Sequence, residues 1–301
     1  MSDATRAHTK APPVFEGLET VRALGRGMVG EVFETRDLRS GQRFVVKRFR
    51  PHAARHLDLA RFMREAQVMA RLQHPNLMPV LRVHAAATPP YFVMPYREGT
   101  ILADAVVNGR MPVPVSARVA RDAATGLIEA HRLGIIHRDV KPGNVLLEAT
   151  GRSVVLDFGL AKDLAGDEKL TASGALLGTP AYMAPEQCRG EKVDRRVDVY
   201  ALGVTIFELV IGKNPFLGLD VVETLRRHLQ ESPRRLDALL PGRVCPELDE
   251  LVHRMIAKDP AHRPSMESCL ETLNGLCRRY DNDARRSTRC SQRPLVAPVR
   301  S

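Results

Sequence analysis

A charged loop between two short apolar segments carries the residues of this chain best suited to chemistry. Asp139, Lys141 and Asn144 lie in the loop, and Asp157 follows the second apolar segment. Polar groups as dense as these would be costly to bury in a core without partners. Carboxylate and amide oxygens are the ligands that hard divalent cations prefer, and a lysine ammonium binds phosphate as a point charge. The spacing therefore predicts a site for a divalent metal ion and a phosphate.

A glycine-rich segment near the N-terminus could cover such a phosphate. Gly25, Gly27 and Gly30 permit positive φ angles and a close approach of the backbone to a ligand. The spacing alone is weak evidence, since an ordinary hairpin turn uses the same residues. A dinucleotide-binding fold would continue into a helix, whereas residues 31–35 have the composition of a strand. The strand favours a hairpin that covers phosphates.

The elements around these motifs alternate between strand and helix patterns. Lys47 ends a β-rich segment, and Glu65 lies in an amphipathic helix predicted over residues 59–72. A strand lysine is ordinarily a solvated charge. Further helices are predicted by apolar spacing and by breaker residues over 102–107, 114–133, 198–210, 221–229, 246–256 and 265–276.

Taken in order, these segments resemble the protein kinases. The resemblance covers residues 15–276 and rests on the following residues: the glycine segment 25–30, Lys47, Glu65, Asp139, Lys141, Asn144, Asp157-Phe158-Gly159, Ala184-Pro185-Glu186, Asp198 and Arg263. The lysine two positions after Asp139 and the segment 183–187 are most similar to bacterial serine/threonine kinases of the eukaryotic type.

The resemblance implies a division of catalytic labour. Asp139 would accept or orient the proton of the attacking hydroxyl, and Lys141 would lie beside the transferred phosphate. Asn144 and Asp157 would hold Mg²⁺, or Mn²⁺ in its place. Lys47 would contact the α- and β-phosphates of ATP, oriented by Glu65.

The nucleotide site implied by the resemblance uses mostly apolar and main-chain groups. Its residues would be Gly25, Gly27, Gly30, Val32, Val45, Lys47, Met94, Pro95, Arg97 and Leu146. Val45 stands where the family usually has alanine, which narrows the adenine pocket. Pro95 replaces a more common acidic residue, but only its carbonyl is required there.

The segment from Leu160 to Tyr182 resembles an activation loop. Phosphorylation of Thr171 or Ser173 by the protein itself is expected, with the phosphate received by Arg138, Arg61 and Lys162. The alternative is that both are ordinary loop hydroxyls. Thr179 would contact Asp139 and Lys141 at the substrate-binding end of the loop.

Two structural roles also follow from the resemblance. Glu186 and Arg263 would form a structural ion pair. Asp198, at the start of an apolar helix, would tie that helix to the backbone of the catalytic loop.

The expected fold class is α+β, with the two lobes of a protein kinase. The predicted divisions are a flexible lead (1–13), a small sheet lobe with one main helix (14–94), a hinge (95–98), a mostly helical large lobe (99–277) and a basic, disordered tail (278–301).

Bulk composition limits the remaining function classes. The 301 residues are 44% hydrophobic and 27% charged, as in ordinary globular proteins, and no stretch has the length of a membrane span. The absence of a signal-peptide pattern and the five unpaired-looking cysteines predict a cytoplasmic protein. Much of the net charge of +10 lies after Cys277, and a basic run of this kind is usually a solvated tail. A nucleic-acid partner is therefore disfavoured.

The expected activity is therefore transfer of phosphate from ATP to serine and threonine of protein substrates. Pairing of two copies for autophosphorylation stays open. One alternative is a catalytically weak binding scaffold on the same fold, for which only Val45 speaks. A small-molecule phosphotransferase is a third reading, against which the segment Gly178-Thr179-Pro180 argues.

Overall fold

The computed structural model describes residues 13–27, 30–50, 56–158 and 180–291. These residues divide into two compact units. The first contains the described residues up to Gln73 together with Pro79–Arg97, and the second contains His74–Met78 with those from Glu98 onward.

The first unit is a five-stranded antiparallel sheet with one helix. The strand order is β1-β2-β3-β5-β4. Its elements are β1 (Leu18–Arg26), β2 (Gly30–Asp37), β3 (Arg43–Phe49), α1 (His56–Ala70), β4 (Arg82–His84) and β5 (Tyr91–Pro95).

The two faces of this sheet differ because side chains alternate along each strand. Phe44 and Val46 of β3 are buried in a core cluster with Phe15 and Tyr91. Val45 and Lys47 alternate with them and therefore project from the opposite face. This register separates the residues that stabilise the sheet from those that can bind a ligand.

The second unit combines a small sheet with helices. Its strands, in the order β6-β7-β8, are β6 (Gly99–Ile101), β7 (Val145–Glu148) and β8 (Ser153–Val155). Its helices are α2 (Leu102–Val107), α3 (Val113–Arg132), α4 (Pro185–Cys188), α5 (Arg196–Ile211), α6 (Val221–Gln230), α7 (Leu236–Leu239), α8 (Pro246–Met255) and α9 (Met266–Ser291).

Helix α5 is the core element of the second unit. It is apolar on nearly all sides, and almost all its residues are buried. A side chain at Gly203 would meet Met255 Cβ at 2.7 Å, so glycine lets α5 approach the end of α8 closely. The buried Asp198 in its first turn is a polar exception.

Residues 74–78 belong to the second unit, although the predicted boundaries place them in the small lobe. Backbone hydrogen bonds explain the difference. Met78 N–H donates to Val155 O at 2.9 Å, and Val155 N–H donates to Asn76 O at 2.8 Å. The side chain of Asn76 also donates to Ser153 O at 2.8 Å. The segment is thus tied to β8, a pairing that its local sequence does not reveal.

The expected disorder after residue 277 is wrong for residues 278–291, which continue α9. The first residues of this extension have tertiary partners. The hydroxyl of Tyr280 lies 3.3 Å from Cys245 Sγ, Arg279 lies 2.9 Å from Glu247, and Asp281 lies 3.7 Å from Arg118 on α3. Residues 292–301 lie outside the described residues.

The predicted α+β class is confirmed, with a sheet-based N-terminal part and a helical remainder. Within the described ranges, no helix combines the length and apolar composition needed to cross a membrane.

Candidate active site

Lys47 and Glu65 form a close ion pair within the first unit. Lys47 Nζ lies 2.6 Å from Glu65 Oε1, and the two side chains are only 13% and 12% exposed. The strand register places Lys47 opposite Val32 on β2 and Phe92 on β5. The pair is thus fixed by a central strand and by α1, which makes it a candidate phosphate-binding group.

The glycine segment forms the connection between β1 and β2. Gly27 N–H donates to Gly30 O at 2.8 Å, and Arg50 Nη1 donates to Gly27 O at 3.1 Å. A Cβ on Gly30 would lie 3.2 Å from Arg48 O and 3.4 Å from Lys47 Cγ. Glycine at position 30, which pairs with Phe49 of β3, therefore leaves room beside the Lys47 side chain. Residues 28 and 29 lie outside the described residues, and Gly25 pairs with Val32 across the hairpin.

Three side chains predicted to contact adenine, those of Val32, Val45 and Met94, lie on one face of the sheet. Val45 lies opposite Met94, and both are on the face that carries Lys47. Met94 is buried, and Pro95 ends β5 directly before Tyr96 and Arg97. Leu146, also predicted to contact the nucleotide, is buried in β7 of the second unit.

The catalytic loop brings three polar side chains together in the second unit. Lys141 Nζ lies 2.7 Å from Asp139 Oδ2, and Asn144 Nδ2 donates to the same oxygen at 3.0 Å. Asn144 Nδ2 also donates to Asp139 O at 2.8 Å. A short 3-10 helix, Pro142–Asn144, produces this convergence by turning the chain into β7.

Asp157 follows β8 in a left-handed backbone conformation, with φ of 32°. The hydrogen bond from Leu156 N–H to Asn144 O, at 2.8 Å, ties its segment to the catalytic loop. The two predicted metal ligands, Asn144 and Asp157, therefore belong to hydrogen-bonded neighbouring segments.

The side chain of His137 makes hydrogen bonds with both of these segments. Its Nδ1 accepts the N–H of Asp139 at 3.2 Å, so Nε2 carries the hydrogen and donates to Leu156 O at 2.9 Å. Burial lowers the pKa of His137, although the nearby Asp198 opposes this shift, so the ring is neutral. Its ring packs 4.6 Å from that of Phe158, in agreement with a packing role for both residues.

Asp198 holds the backbone of the catalytic loop. Its two oxygens accept the N–H of His137 at 2.9 Å and of Arg138 at 2.8 Å. Arg138 has a φ of 64°, a conformation that these bonds help to maintain. Burial alone would raise the pKa of Asp198, but hydrogen bonding and the charge of His131 outweigh burial and lower it.

Sequence reasoning missed His131, whose Nε2 lies 2.7 Å from Asp198 Oδ2. Its side chain is 1% exposed. The only signal was a histidine in the last turn of a helix, and such a residue is usually solvated.

Comparison with known proteins agrees with this geometry. The sequence profile of the protein kinase domain matches residues 18–273. The chain belongs to the protein kinase family. The expectation drawn from the catalytic-loop motifs is thereby confirmed at the level of family and fold.

Three proteins similar to this kinase domain come from bacteria. Serine/threonine-protein kinase PknB of Mycobacterium leprae is 38% identical over 261 residues, which cover 85% of this chain and 42% of the relative. PknB of Mycobacterium tuberculosis is 40% identical over 247 residues, covering 80% and 39%. Kinase pkn3 of Myxococcus xanthus is 35% identical over 296 residues, covering 92% and 53%. The chain thus spans about two fifths to one half of their lengths, and the resemblance to bacterial serine/threonine kinases is confirmed.

The kinase domain also contains the predicted pair of Glu186 and Arg263. Arg263 donates to both carboxylate oxygens, and its guanidinium lies 4.9 Å from the ring of Tyr200. The contact is buried and remote in sequence, which fits a structural role.

Three of the predicted regulatory residues lie outside the described residues: Lys162, Thr171 and Ser173. The same is true of Thr179, predicted at the substrate-binding end of the loop, and of Gly159. Arg61 belongs to α1, but its side chain is also outside the description. Arg138 is placed next to Asp139 in the catalytic loop.

Proposed function

We propose that this kinase domain transfers the γ-phosphoryl group of ATP to serine and threonine hydroxyls of proteins. The observation that carries the proposal is the convergence of Lys141 and Asn144 on Asp139. Phosphoryl transfer requires little covalent work from a protein, so positioning and charge stabilisation supply most of the catalysis.

Asp139 is the group that accepts or orients the proton of the attacking hydroxyl. Lys141 Nζ lies 2.7 Å from Asp139 Oδ2, and its ammonium stabilises negative charge on the transferred phosphoryl group. In the first unit, Lys47 contacts the α- and β-phosphates, while Glu65 restricts the Lys47 side chain to one position.

The donor set fits Mg²⁺. The amide nitrogen of Asn144 donates to Asp139, so the amide oxygen is turned away from that carboxylate and is available to a cation. With the carboxylate of Asp157 it provides hard oxygen ligands, which also suit Mn²⁺. Asn144 and Asp157 would hold the ion, which when bound would neutralise negative charge on the phosphates of ATP.

We propose residues 14–73 and 79–94 as the small lobe, 95–98 as the hinge, and 74–78 together with 99–291 as the large lobe. The proposed nucleotide contacts of the first unit are Gly25, Gly27, Gly30, Val32, Val45, Met94, Pro95 and Arg97, and that of the second unit is Leu146. A cytoplasmic location is supported by Cys188, Cys245, Cys269 and Cys277, which are free thiols. Two copies could meet for autophosphorylation at Thr171 or Ser173, with the phosphate received by Arg138, Arg61 and Lys162, and Thr179 next to the acceptor.

Acceptor analysis tests this proposal. We expect labelled ATP to place phosphate on serine and threonine, but not on tyrosine, of a generic basic protein. Mass spectrometry of the protein itself should find phosphate at Thr171 or Ser173, and none there in Asp139→Asn. Asp104→Asn, an exposed aspartate of α2, is the matched control. Tyrosine phosphate, or loop phosphate on both wild type and Asp139→Asn from one host, would contradict the respective claim.

A further inference from the structure

A charged network outside the residues named above lies on the ligand-facing side of the sheet. Arg43, Val45 and Lys47 alternate along β3 and share that face, while Glu34 of β2 lies opposite Val45. Arg43 therefore lies four residues from Lys47 on the same face of β3, and the side chain of Glu34 belongs to this face too.

Glu34 is an unusual residue to find buried there, at 3% exposure. Each of its oxygens has a guanidinium partner. Arg43 Nη2 and Nε lie 2.6 and 2.8 Å from Oε1, and Arg22 Nε lies 2.8 Å from Oε2. A buried carboxylate is costly unless it is paired, so the contact between Glu34 and Arg43 is maintained. The two hydrogen bonds to Oε1 hold the Arg43 guanidinium in one orientation.

The fixed guanidinium of Arg43 stacks on Tyr96. Its Cζ lies 3.7 Å from the centre of the ring, within the range of cation–π attraction. The backbone joins the same two residues, since Tyr96 N–H donates to Arg43 O at 3.4 Å. Side chain and main chain thus both attach Tyr96 to the start of β3.

This attachment lies at the end of β5, one residue beyond Pro95, which pairs with Phe44 of β3. The proposed function assigns the main-chain groups of Pro95 and Arg97, on either side of Tyr96, to adenine.

We propose that Arg43 is a positioning residue for nucleotide specificity: held by Glu34, it stacks on Tyr96 and fixes the main-chain groups that bind the adenine ring. The inference rests on the proposed function for the assignment of residues 95–97. It predicts an effect on nucleotide affinity and base selectivity, with the chemical step unchanged.

Equilibrium binding of ADP and GDP, each with Mg²⁺, to the full chain tests the inference without requiring turnover. Arg43→Ala and Tyr96→Ala should each raise the Kd for ADP about three- to tenfold and reduce the preference for ADP over GDP. Tyr96→Phe keeps the ring and should bind as the wild type does. Because Arg43 and Tyr96 act as a pair, the Kd of the double variant for ADP should be no higher than that of the single variant that binds ADP less tightly.

Arg82→Ala is the matched control, because the Arg82 guanidinium lies 5.6 Å from the ring of Phe44, which projects from the other face. It should leave ADP affinity unchanged. In the transfer assay, the KM for ATP should rise in Arg43→Ala and Tyr96→Ala while kcat stays within about twofold, and Arg43→Lys should recover part of the affinity.

Arg43→Ala could unfold by leaving Glu34 with one partner, and in that case Tyr96→Ala against Tyr96→Phe decides, since neither change touches the ion pair. Unchanged ADP affinity in Tyr96→Ala, additive losses in the double variant, or an equal loss in Arg82→Ala would overturn the inference. A wild-type protein that binds no ADP would instead overturn the proposed function itself.

Discussion

Arg263 and Glu186 form a two-pronged ion pair inside the second unit. Nη1 lies 2.6 Å from Oε1 and Nη2 lies 2.8 Å from Oε2, and the side chains are 0% and 6% exposed. Arg263 Nε donates to Ala257 O at 2.9 Å. The guanidinium therefore connects the segment at Glu186 with the turn that follows α8.

We expect Arg263→Ala to lower the free energy of unfolding by about 3–5 kcal/mol, because the Glu186 carboxylate would stay buried without its partner. Urea denaturation measures the change. Arg189→Ala removes an exposed arginine that pairs with Glu191 at 2.9 Å, and it should cost less than about 1 kcal/mol. Equal losses in the two variants would contradict a structural role for the buried pair.

A second prediction concerns Asp198 and the catalytic loop. Asp198→Asn turns one acceptor into a donor facing a backbone N–H, so the loop should shift. We expect kcat to fall about ten- to a hundredfold, since small misplacements of catalytic groups are that costly.

Asp122→Asn is a control matched in burial, because Asp122 is 7% exposed and accepts Ser153 N–H at 2.9 Å. Both variants should lose stability, by about 1–3 kcal/mol, but only Asp198→Asn should lose turnover beyond the unfolded fraction. Equal kcat values in the two folded variants would show that Asp198 stabilises the fold alone.

A third prediction concerns the charge of Glu65. Glu65→Gln keeps the shape of the side chain but removes the charge that holds Lys47 at 2.6 Å. We expect kcat/KM for ATP to fall about ten- to a hundredfold. Glu16→Gln changes an exposed glutamate of the same unit and should leave the value unchanged. An active Glu65→Gln would show that Lys47 needs no orienting carboxylate.

A fourth prediction follows from His228, which is fully buried with Nδ1 2.9 Å from the hydroxyl of Tyr200. Burial, assisted by the charge of Lys258, lowers the pKa of His228 to about 3. In the unfolded chain this histidine binds a proton near pH 6.5, whereas in the folded chain it stays neutral at that pH. Its contribution to the free energy of unfolding is therefore complete above pH 6.5 and declines as the pH falls.

Between pH 7.5 and 5.0 this histidine should remove about 2 kcal/mol from the free energy of unfolding. His228→Gln lacks the titrating group, so its stability should fall less over the same interval, even if it is lower at pH 7.5. Urea midpoints at the two pH values measure the difference. Identical pH dependence in both proteins would mean that His228 is protonated in the fold.

The motifs allowed much of the site to be predicted. The contacts of Lys47 with Glu65, of Asp198 with the loop backbone, and of Glu186 with Arg263 are ones that the resemblance to protein kinases implied. Apolar spacing also placed most helices close to their observed positions, for example 221–229 against Val221–Gln230.

Features that depend on distant partners could not be predicted. The second half of α9 is polar, and its contacts with Cys245, Glu247 and Arg118 involve residues that are distant in the sequence. The Arg43–Tyr96 stack likewise arises from strand register, since nothing in the local sequence brings those two side chains together. The local sequence pattern predicts the helix or strand to which a residue belongs, whereas these contacts depend on how helices and strands pack together.

Phosphate transfer from labelled ATP with Mg²⁺ tests the central claim most directly, measured for wild type, Lys47→Ala and Asp139→Asn, with Lys213→Ala and Asp104→Asn as exposed controls. We expect incorporation on serine and threonine in wild type and both controls, and its loss in Lys47→Ala and Asp139→Asn while both remain folded. Undiminished transfer by folded Asp139→Asn, or nucleotide binding without any transfer in wild type, would contradict the proposed catalytic mechanism.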